Sequence, residues 1–76
     1  MGKLSKNSSV PLYQQLINEI KTQIAQGQLK ENDKIPTETE LSQIYDISRI
    51  TVRKAIELLV EDEILIKRQG IGTFVA

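Results

Sequence analysis

Two arginines, Arg49 and Arg53, lie in a stretch of the chain, residues 48–56, that contains no acidic residue. Because they are four positions apart, a helix would project both guanidinium groups from one face. A guanidinium can donate two hydrogen bonds to O6 and N7 of a guanine, which discriminates between bases by about 1–3 kcal/mol. The stretch therefore predicts contact with base edges in the DNA major groove. Ile50 and Thr51 lie between the arginines, where they can meet a thymine methyl or a phosphate.

The charge of the chain is segregated, although ten basic residues balance ten acidic ones. A net charge of zero argues by itself against nucleic acid, since DNA-binding domains usually carry a basic excess. Residues 31–46, however, include five acidic residues and one basic residue. In residues 67–76 the charged residues are all basic, and they are Lys67 and Arg68. The latter precede Gln69-Gly70-Ile71-Gly72, whose glycines allow a narrow tip that can approach a DNA backbone or the minor groove. We therefore expect two basic surfaces.

The composition excludes several other kinds of chemistry. The chain has no cysteine and no histidine, which removes disulfides, most zinc and haem sites, and the usual nucleophile–histidine pairs. Glu38 and Glu40 are more typical of a helix start than of a catalytic pair, because acids stabilise a helix N-terminus. No enzyme, metal or cofactor is expected. The chain has neither a signal-peptide h-region nor a membrane-length apolar stretch, and the lack of cysteine fits a cytoplasmic protein.

Simpler roles remain open for the basic residues. Arg53 lies four positions before Glu57, and Asp46 lies near Arg49, so both arginines could form surface salt bridges. Lys54 could contact a phosphate or pair with the acids that follow it on the same helix.

The elements that must position these residues follow from periodicity and capping signals. Pro11 suits the first position of a helix, and Gly27 can end one, which predicts a first helix over Pro11–Gln26. Its apolar face recurs every four residues, at Leu12, Leu16, Ile20 and Ile24.

Two shorter signals predict a helix-turn-helix. Thr37-Glu38-Thr39-Glu40 is a capping box that opens a second helix over Glu38–Tyr45. After a turn at Asp46-Ile47, Ser48 caps a third helix that runs to about Asp62. The apolar stripe of this helix should face the core, away from Arg49 and Arg53; it comprises Val52, Ala55, Ile56, Leu59 and Val60. The second helix of such a motif places its first turns in the major groove.

The end of the chain has the pattern of a strand, a glycine-bearing loop and a strand. Leu65–Arg68 and Thr73–Val75 are the expected strands, and a very short strand is expected near Ile35, which precedes a proline. Residues 1–9 are polar and small, and we expect them to be a disordered leader before a domain over residues 10–76. The predicted fold class is mainly α with a small β-hairpin, a three-helix winged helix-turn-helix.

Five motifs of the chain resemble those of a known family. In order along nearly the whole chain, they are Pro11-Leu12-Tyr13-Gln14-Gln15, Gly27-x-Leu29, Lys34-Ile35-Pro36-Thr37-Glu38-x-Glu40-Leu41, Ser48-Arg49-x-Thr51-Val52-Arg53-Lys54-Ala55-Ile56, and Gln69-Gly70-x-Gly72-Thr73-Phe74-Val75. The chain is similar to the N-terminal domain of GntR-family bacterial transcription regulators, and most similar to the HutC-like or arabinose-repressor-like branches.

The resemblance implies a winged helix-turn-helix that binds palindromic operators as a homodimer, with a separate C-terminal domain, absent from this chain, that senses a small-molecule metabolite. It also implies DNA contacts at the positions matching Thr39, Ser48, Arg49, Ile50, Thr51, Arg53, Gln69 and Gly70. Three positions depart from the family. Glu31-Asn32 replaces a frequent Pro-Gly, Thr39 a frequent arginine, and Glu63 a usual glycine after the third helix, where glutamate tolerates a left-handed conformation poorly.

The sequence thus predicts sequence-specific binding of double-stranded DNA by part of a metabolite-responsive repressor. Arg49 and Arg53, helped by Thr51, are expected to read bases. Thr39, Ser48 and Lys54 are expected to hold phosphates, and Arg68, Gln69 and Gly70 to serve the wing. The alternative is a winged-helix module that binds another protein, which the zero net charge leaves open; steep weakening of binding by salt would distinguish DNA.

Overall fold

The computed structural model describes residues 4–76 as three helices followed by a hairpin. The predicted fold class is confirmed. The bounds are α1 Leu12–Ala25, α2 Glu38–Tyr45, α3 Arg49–Glu61, β1 Leu65–Arg68 and β2 Gly72–Val75.

The ends of the helices agree closely with the local signals. Helix α2 has the predicted bounds, and Pro11 and Gln26, the predicted ends of α1, are its caps. In the capping box, the Thr37 hydroxyl accepts a hydrogen bond from the Glu40 backbone N–H at 3.1 Å, and the Glu40 carboxylate accepts one from the Thr37 N–H at 2.8 Å. These bonds satisfy N–H groups that the first turn of a helix leaves without partners.

The core lies where α1 crosses α3. Leu16 and Ile20 of α1 meet the apolar stripe of α3, and all these side chains are almost completely buried. The stripe has the spacing of three and four that keeps apolar residues on one helix face. Its buried residues are Val52, Ala55, Ile56 and Leu59, and Val60, the last residue of the predicted stripe, is half-buried. Burying this face leaves the opposite face of α3 in solvent.

The hairpin is antiparallel, with Leu65 opposite Val75, and both of these side chains are buried. The connector between α1 and α2 runs beside β2, because the Ile35 N–H donates to the Thr73 carbonyl at 2.9 Å. The short strand expected near Ile35 is present as a single bridge between Lys34 and Phe74. This bridge ties the start of α2 to the base of the hairpin.

Among residues 4–76, three residues other than glycine have positive φ angles: Asn32 at 75°, Asp46 at 56° and Glu63 at 63°. Asn32 and Glu63 are two of the positions that depart from the family pattern, and both keep the left-handed conformation that glycine would favour. Asp46 forms the turn between α2 and α3. Asparagine and aspartate tolerate this conformation better than glutamate does, so Glu63 carries the most backbone strain of the three.

The predicted leader, residues 1–9, lies partly outside the described residues. Residues 4–9 form neither helix nor strand, but they contact the rest of the domain. Leu4 packs against the core, the Ser5 N–H donates to the Gln15 side chain at 2.7 Å, and the Lys6 ammonium lies 2.9 Å from the Asp46 carboxylate. These contacts were not predicted, since each joins positions at least ten apart in sequence.

Tyr45, the last residue of α2, is buried in the core. Burial raises the pKa of its hydroxyl above the ordinary value of 10.0, and the negative charge of Glu19 acts in the same direction. A hydrogen bond from the Gln23 amide, at 3.2 Å, opposes the shift. Within residues 4–76, no helix is both long enough and apolar enough to cross a membrane.

Candidate nucleic-acid interface

The outer face of α3 carries the residues expected to read DNA. Ile50 is 78% exposed, and both Arg49 and Arg53 are exposed, whereas Val52 and Ala55 between and beside them are buried. An isoleucine that lies this far into solvent contributes little to the core, so its side chain is available to a partner. The predicted division of α3 into a buried face and an exposed face is therefore confirmed. The exposed face with Arg49, Ile50 and Arg53 is named the reading face for the role expected of it.

Both arginines are held by the start of α2. Arg49 Nη1 donates to Thr39 Oγ1 at 3.4 Å. Arg53 donates from Nε and Nη2 to Glu38 Oε1, at 3.4 and 3.3 Å. The intrahelical ion pair considered for Arg53 is therefore replaced by one that crosses between helices. The reason is that α2 packs against α3 at the first turns of both helices.

The first turn of α3 is closed by two hydroxyls. Ser48 Oγ accepts from the Thr51 N–H at 3.1 Å and lies 2.8 Å from Thr51 Oγ1. Ser48 is thus the predicted cap. Because the two hydroxyls already contact each other, any phosphate contact here would use their remaining hydrogen-bonding capacity.

Lys54 adopts a contact that neither of its two sequence-based interpretations included. Its Nζ lies 4.1 Å from the centre of the Tyr13 ring, at the start of α1. A cation over an aromatic face is attracted by the negative charge of the ring surface, by about 0.5–1 kcal/mol at exposed sites. Lys54 therefore joins α1 to α3.

The hairpin tip presents a narrow exposed surface. Gln69, Gly70 and Ile71 are all exposed, Ile71 by 63%, and the turn is closed by a 3.0 Å hydrogen bond from the Ile71 N–H to the Arg68 carbonyl. Gly70 has a φ of 76°, and a Cβ added there would meet nothing within 4 Å. Its backbone is thus open to a close partner, as expected for a wing tip.

One predicted wing residue turns back toward the strand. The Arg68 guanidinium lies over the Phe74 ring, 5.4 Å from its centre. This position places the guanidinium over the strands of the wing, not at its tip.

The sequence and the solved structures of other proteins place the chain in a family. The family model described as "Bacterial regulatory proteins, gntR family" matches residues 12–75. The chain belongs to the GntR family. Since this family consists of bacterial regulatory proteins, the expectation that the chain is not an enzyme is confirmed.

Two curated GntR-family relatives show the level of similarity. The mannosyl-D-glycerate transport/metabolism system repressor MngR of Escherichia coli is 49% identical over 65 residues, which cover 86% of this chain and 27% of that protein. The uncharacterized HTH-type transcriptional regulator YurK of Bacillus subtilis is 53% identical over 72 residues, 95% of this chain and 30% of its own length. The chain therefore spans less than a third of these relatives.

One solved structure of a similar protein matches this chain over nearly the full length of both chains. The DNA-binding domain of AraR, in complex with operator ORE1, superposes with a TM-score of 0.87 at 46% identity. The match covers 100% of this chain and 93% of that domain. The fold is therefore that of a GntR-family DNA-binding domain.

Two lysines in this GntR-family fold lie near the reading face but were not among the predicted contacts. Lys34 and Lys67 line a groove between the wing and the start of α2, together with Thr37, Thr39 and Thr73. Within residues 4–76, neither lysine forms an ion pair. The Lys34 side chain crosses Gly72, where an added Cβ would lie 2.6 Å from Cε. The available signal was the position of Lys34 directly before the Ile35-Pro36 pair of the family motif.

Proposed function

We propose that this chain is a sequence-specific double-stranded DNA-binding domain of a GntR-family transcription regulator. The observation that carries the proposal is the exposed face at the start of α3, where two arginines and Ile50 project beside each other. The solved AraR structure supports it, since the corresponding domain of that protein is in complex with an operator.

The proposed contacts divide by chemistry. Arg49 and Arg53 read base edges, because their guanidinium groups can each pair with a guanine, and Ile50 and Thr51 lie against neighbouring bases. Thr39, Ser48 and Lys54 hold phosphates. Gln69, Gly70 and Arg68 form the wing contact along the adjacent groove.

We further propose that the chain acts within a longer regulator. The curated relatives are more than three times its length, and MngR is described as a repressor. The proposed whole protein is a cytoplasmic, homodimeric repressor that binds a palindromic operator, and a C-terminal domain binds a small-molecule effector that controls it. A dimer suits this role because two domains can read two half-sites about one helical turn apart.

The second candidate is a winged-helix module that binds a protein. The observation that favours it is the exposure of two isoleucines, Ile50 and Ile71, because removal of apolar surface from water drives most protein–protein association.

One experiment separates the two candidates. The 76-residue chain is used to select duplexes from a randomised library, and the affinity for the selected duplex is measured by fluorescence anisotropy over a range of salt concentrations. DNA binding predicts a logarithmic salt slope of about −0.9 for each phosphate contacted, and weaker binding to a shuffled duplex of equal length. No enrichment of any sequence, or an affinity that salt leaves unchanged, would contradict the proposal.

A further inference from the structure

Glu38, in the first turn of α2, lies against the reading helix. Its Oε1 atom accepts hydrogen bonds from both Nε and Nη2 of Arg53. The Glu38 side chain is 28% exposed and that of Arg53 55%. We propose that Glu38 is a positioning residue for Arg53 and thereby determines base specificity, an inference that rests on the proposed function.

The geometry leaves the useful edge of the guanidinium free. A guanidinium has five N–H donors, and the two that Glu38 receives lie on the edge formed by Nε and Nη2. The opposite edge, formed by Nη1 and the second N–H of Nη2, can still donate two parallel hydrogen bonds. That edge matches O6 and N7 of a guanine. Arg53 can therefore be held and read a base at the same time.

Holding the side chain matters because a free arginine samples many rotamers. Ordering such a side chain on binding costs free energy, and a group that is already ordered in the free protein avoids much of that cost. Glu38 restricts the rotamers of the Arg53 side chain, and the packing of α2 against α3 sets the distance between the two side chains.

A carboxylate in this place is otherwise unfavourable for DNA binding. Glu38 brings a negative charge to a surface that is proposed to approach phosphates, where it weakens the attraction that all DNA sequences share. The ion pair also contributes little to folding, because exposed pairs are worth about 0–1 kcal/mol. Specificity through Arg53 is the gain that offsets this repulsion.

The charge of Glu38, like that of Glu40, stabilises the N-terminus of α2, but the capping box does not account for the direction of its side chain. Glu40 lies in the same first turn and its carboxylate completes the capping box. Glu38 takes no part in that box, since its side chain is directed to Arg53 of another helix. Glu40 therefore offers a matched control: Glu40→Gln removes one negative charge two positions away, and glutamine can still complete a capping box.

The experiment compares Glu38→Gln, Glu38→Ala and Glu40→Gln with the wild-type chain. For each, affinity is measured by fluorescence anisotropy for the duplex that the wild-type chain selects and for a shuffled duplex. All three variants should bind the shuffled duplex more tightly, because a negative charge is lost. Only the Glu38 variants should lose preference for the selected duplex. The loss should be at most the discrimination of one arginine–guanine contact, which is about 5- to 150-fold.

Two further measurements test that the effect passes through Arg53. Selection repeated with Glu38→Ala should lose base preference at one position of each site and retain it elsewhere. In an Arg53→Ala background, Glu38→Ala should change the preference no further, and thermal unfolding should show that each variant is folded.

The possible results are distinct. Unchanged preference in both Glu38 variants, or an equal loss in the Arg53→Ala background, overturns the positioning role while leaving the proposed function in place. A wild-type chain that does not distinguish its selected duplex from a shuffled one overturns both.

Discussion

Arg49 and Arg53 leave α3 on the same side, and each donates to one residue at the start of α2, Thr39 and Glu38 respectively. The resemblance to the GntR family implies a frequent arginine at the position of Thr39. In this chain its hydroxyl accepts from Arg49. Compared with that pattern, this chain lacks one cation at the proposed interface but provides a contact for another.

At the residue scale, the planar guanidinium groups of Arg49 and Arg53 can be tested by substitution. Arg49→Ala and Arg53→Ala should each weaken binding to the selected duplex by about 1–3 kcal/mol and relax base preference. Arg53→Lys is the charge-matched control, since lysine keeps the charge but lacks the planar fork. It should retain the salt slope and still lose discrimination in an anisotropy titration. Wild-type discrimination in Arg53→Lys would show that this side chain acts on DNA only through its charge.

At the element scale, the ends of the helices show how local chemistry sets the site. Ser48 caps α3 and so sets the first turn from which Arg49 projects. The other end of α3 is less well matched, because Glu63 has a φ of 63° in the connection to β1. Residues with a Cβ are strained in this conformation. The strain lies after the end of α3, at the opposite end from Arg49.

Glu63→Gly should therefore stabilise the domain by about 0.5–1 kcal/mol. It removes the backbone strain of the left-handed conformation, but part of this gain is lost because glycine has more conformational entropy in the unfolded chain. Chemical denaturation measures the change, and DNA affinity should stay the same. Asn32→Gly is the matched control, because Asn32 has a similar φ of 75° but tolerates it better, so its gain should be smaller. Destabilisation by Glu63→Gly would mean that the glutamate side chain contributes more than its backbone strain costs.

At the scale of the whole molecule, one small core supports both the reading face and the wing. Leu16 of α1 is fully buried against α3, and β1 continues the same core through Leu65. A domain of this length buries only about 60% of the surface of its unfolded chain. Its stability therefore depends on a few large side chains.

Leu16→Ala should lower the free energy of unfolding by about 2–5 kcal/mol, because it removes buried methyl groups and leaves a cavity. Urea denaturation followed by circular dichroism measures the loss. Ile50→Ala is the control in an exposed position, 78% accessible, and should change stability by less than about 0.5 kcal/mol. A large loss in Ile50→Ala would place Ile50 in the core and argue against its role at the interface.

Alkaline pH should destabilise the domain through Tyr45. Burial raises the pKa of this hydroxyl in the folded state above 10.0, so its contribution is complete below pH 10 and is lost as the pH rises through the raised folded value. Tyr45→Phe removes the titrating group. The free energy of unfolding of the wild type, relative to that of Tyr45→Phe, should therefore decrease above about pH 10. A difference that does not depend on pH there would contradict the raised pKa of Tyr45.

The sequence alone determined the features that depend on neighbouring residues. The bounds of α2, the capping residues Thr37 and Ser48 and the buried stripe of α3 follow from local hydrogen bonds and from the period of the helix. The left-handed position of Glu63 was expected as a difficulty of local geometry, and the structure contains it. The family motif added the order of the parts and the place of the wing tip.

Only the tertiary structure decided which partner each charged side chain has. Arg53 pairs with Glu38, fifteen positions away, instead of with a neighbour on its own helix, and Lys54 lies on the ring of Tyr13. Such contacts depend on the angle and distance at which two helices pack, which the sequence of neither helix specifies. Long charged side chains can reach several partners of similar energy, so packing selects among them. The exposed residues of the reading face could therefore be predicted from the sequence, but the contacts that hold them in place could not.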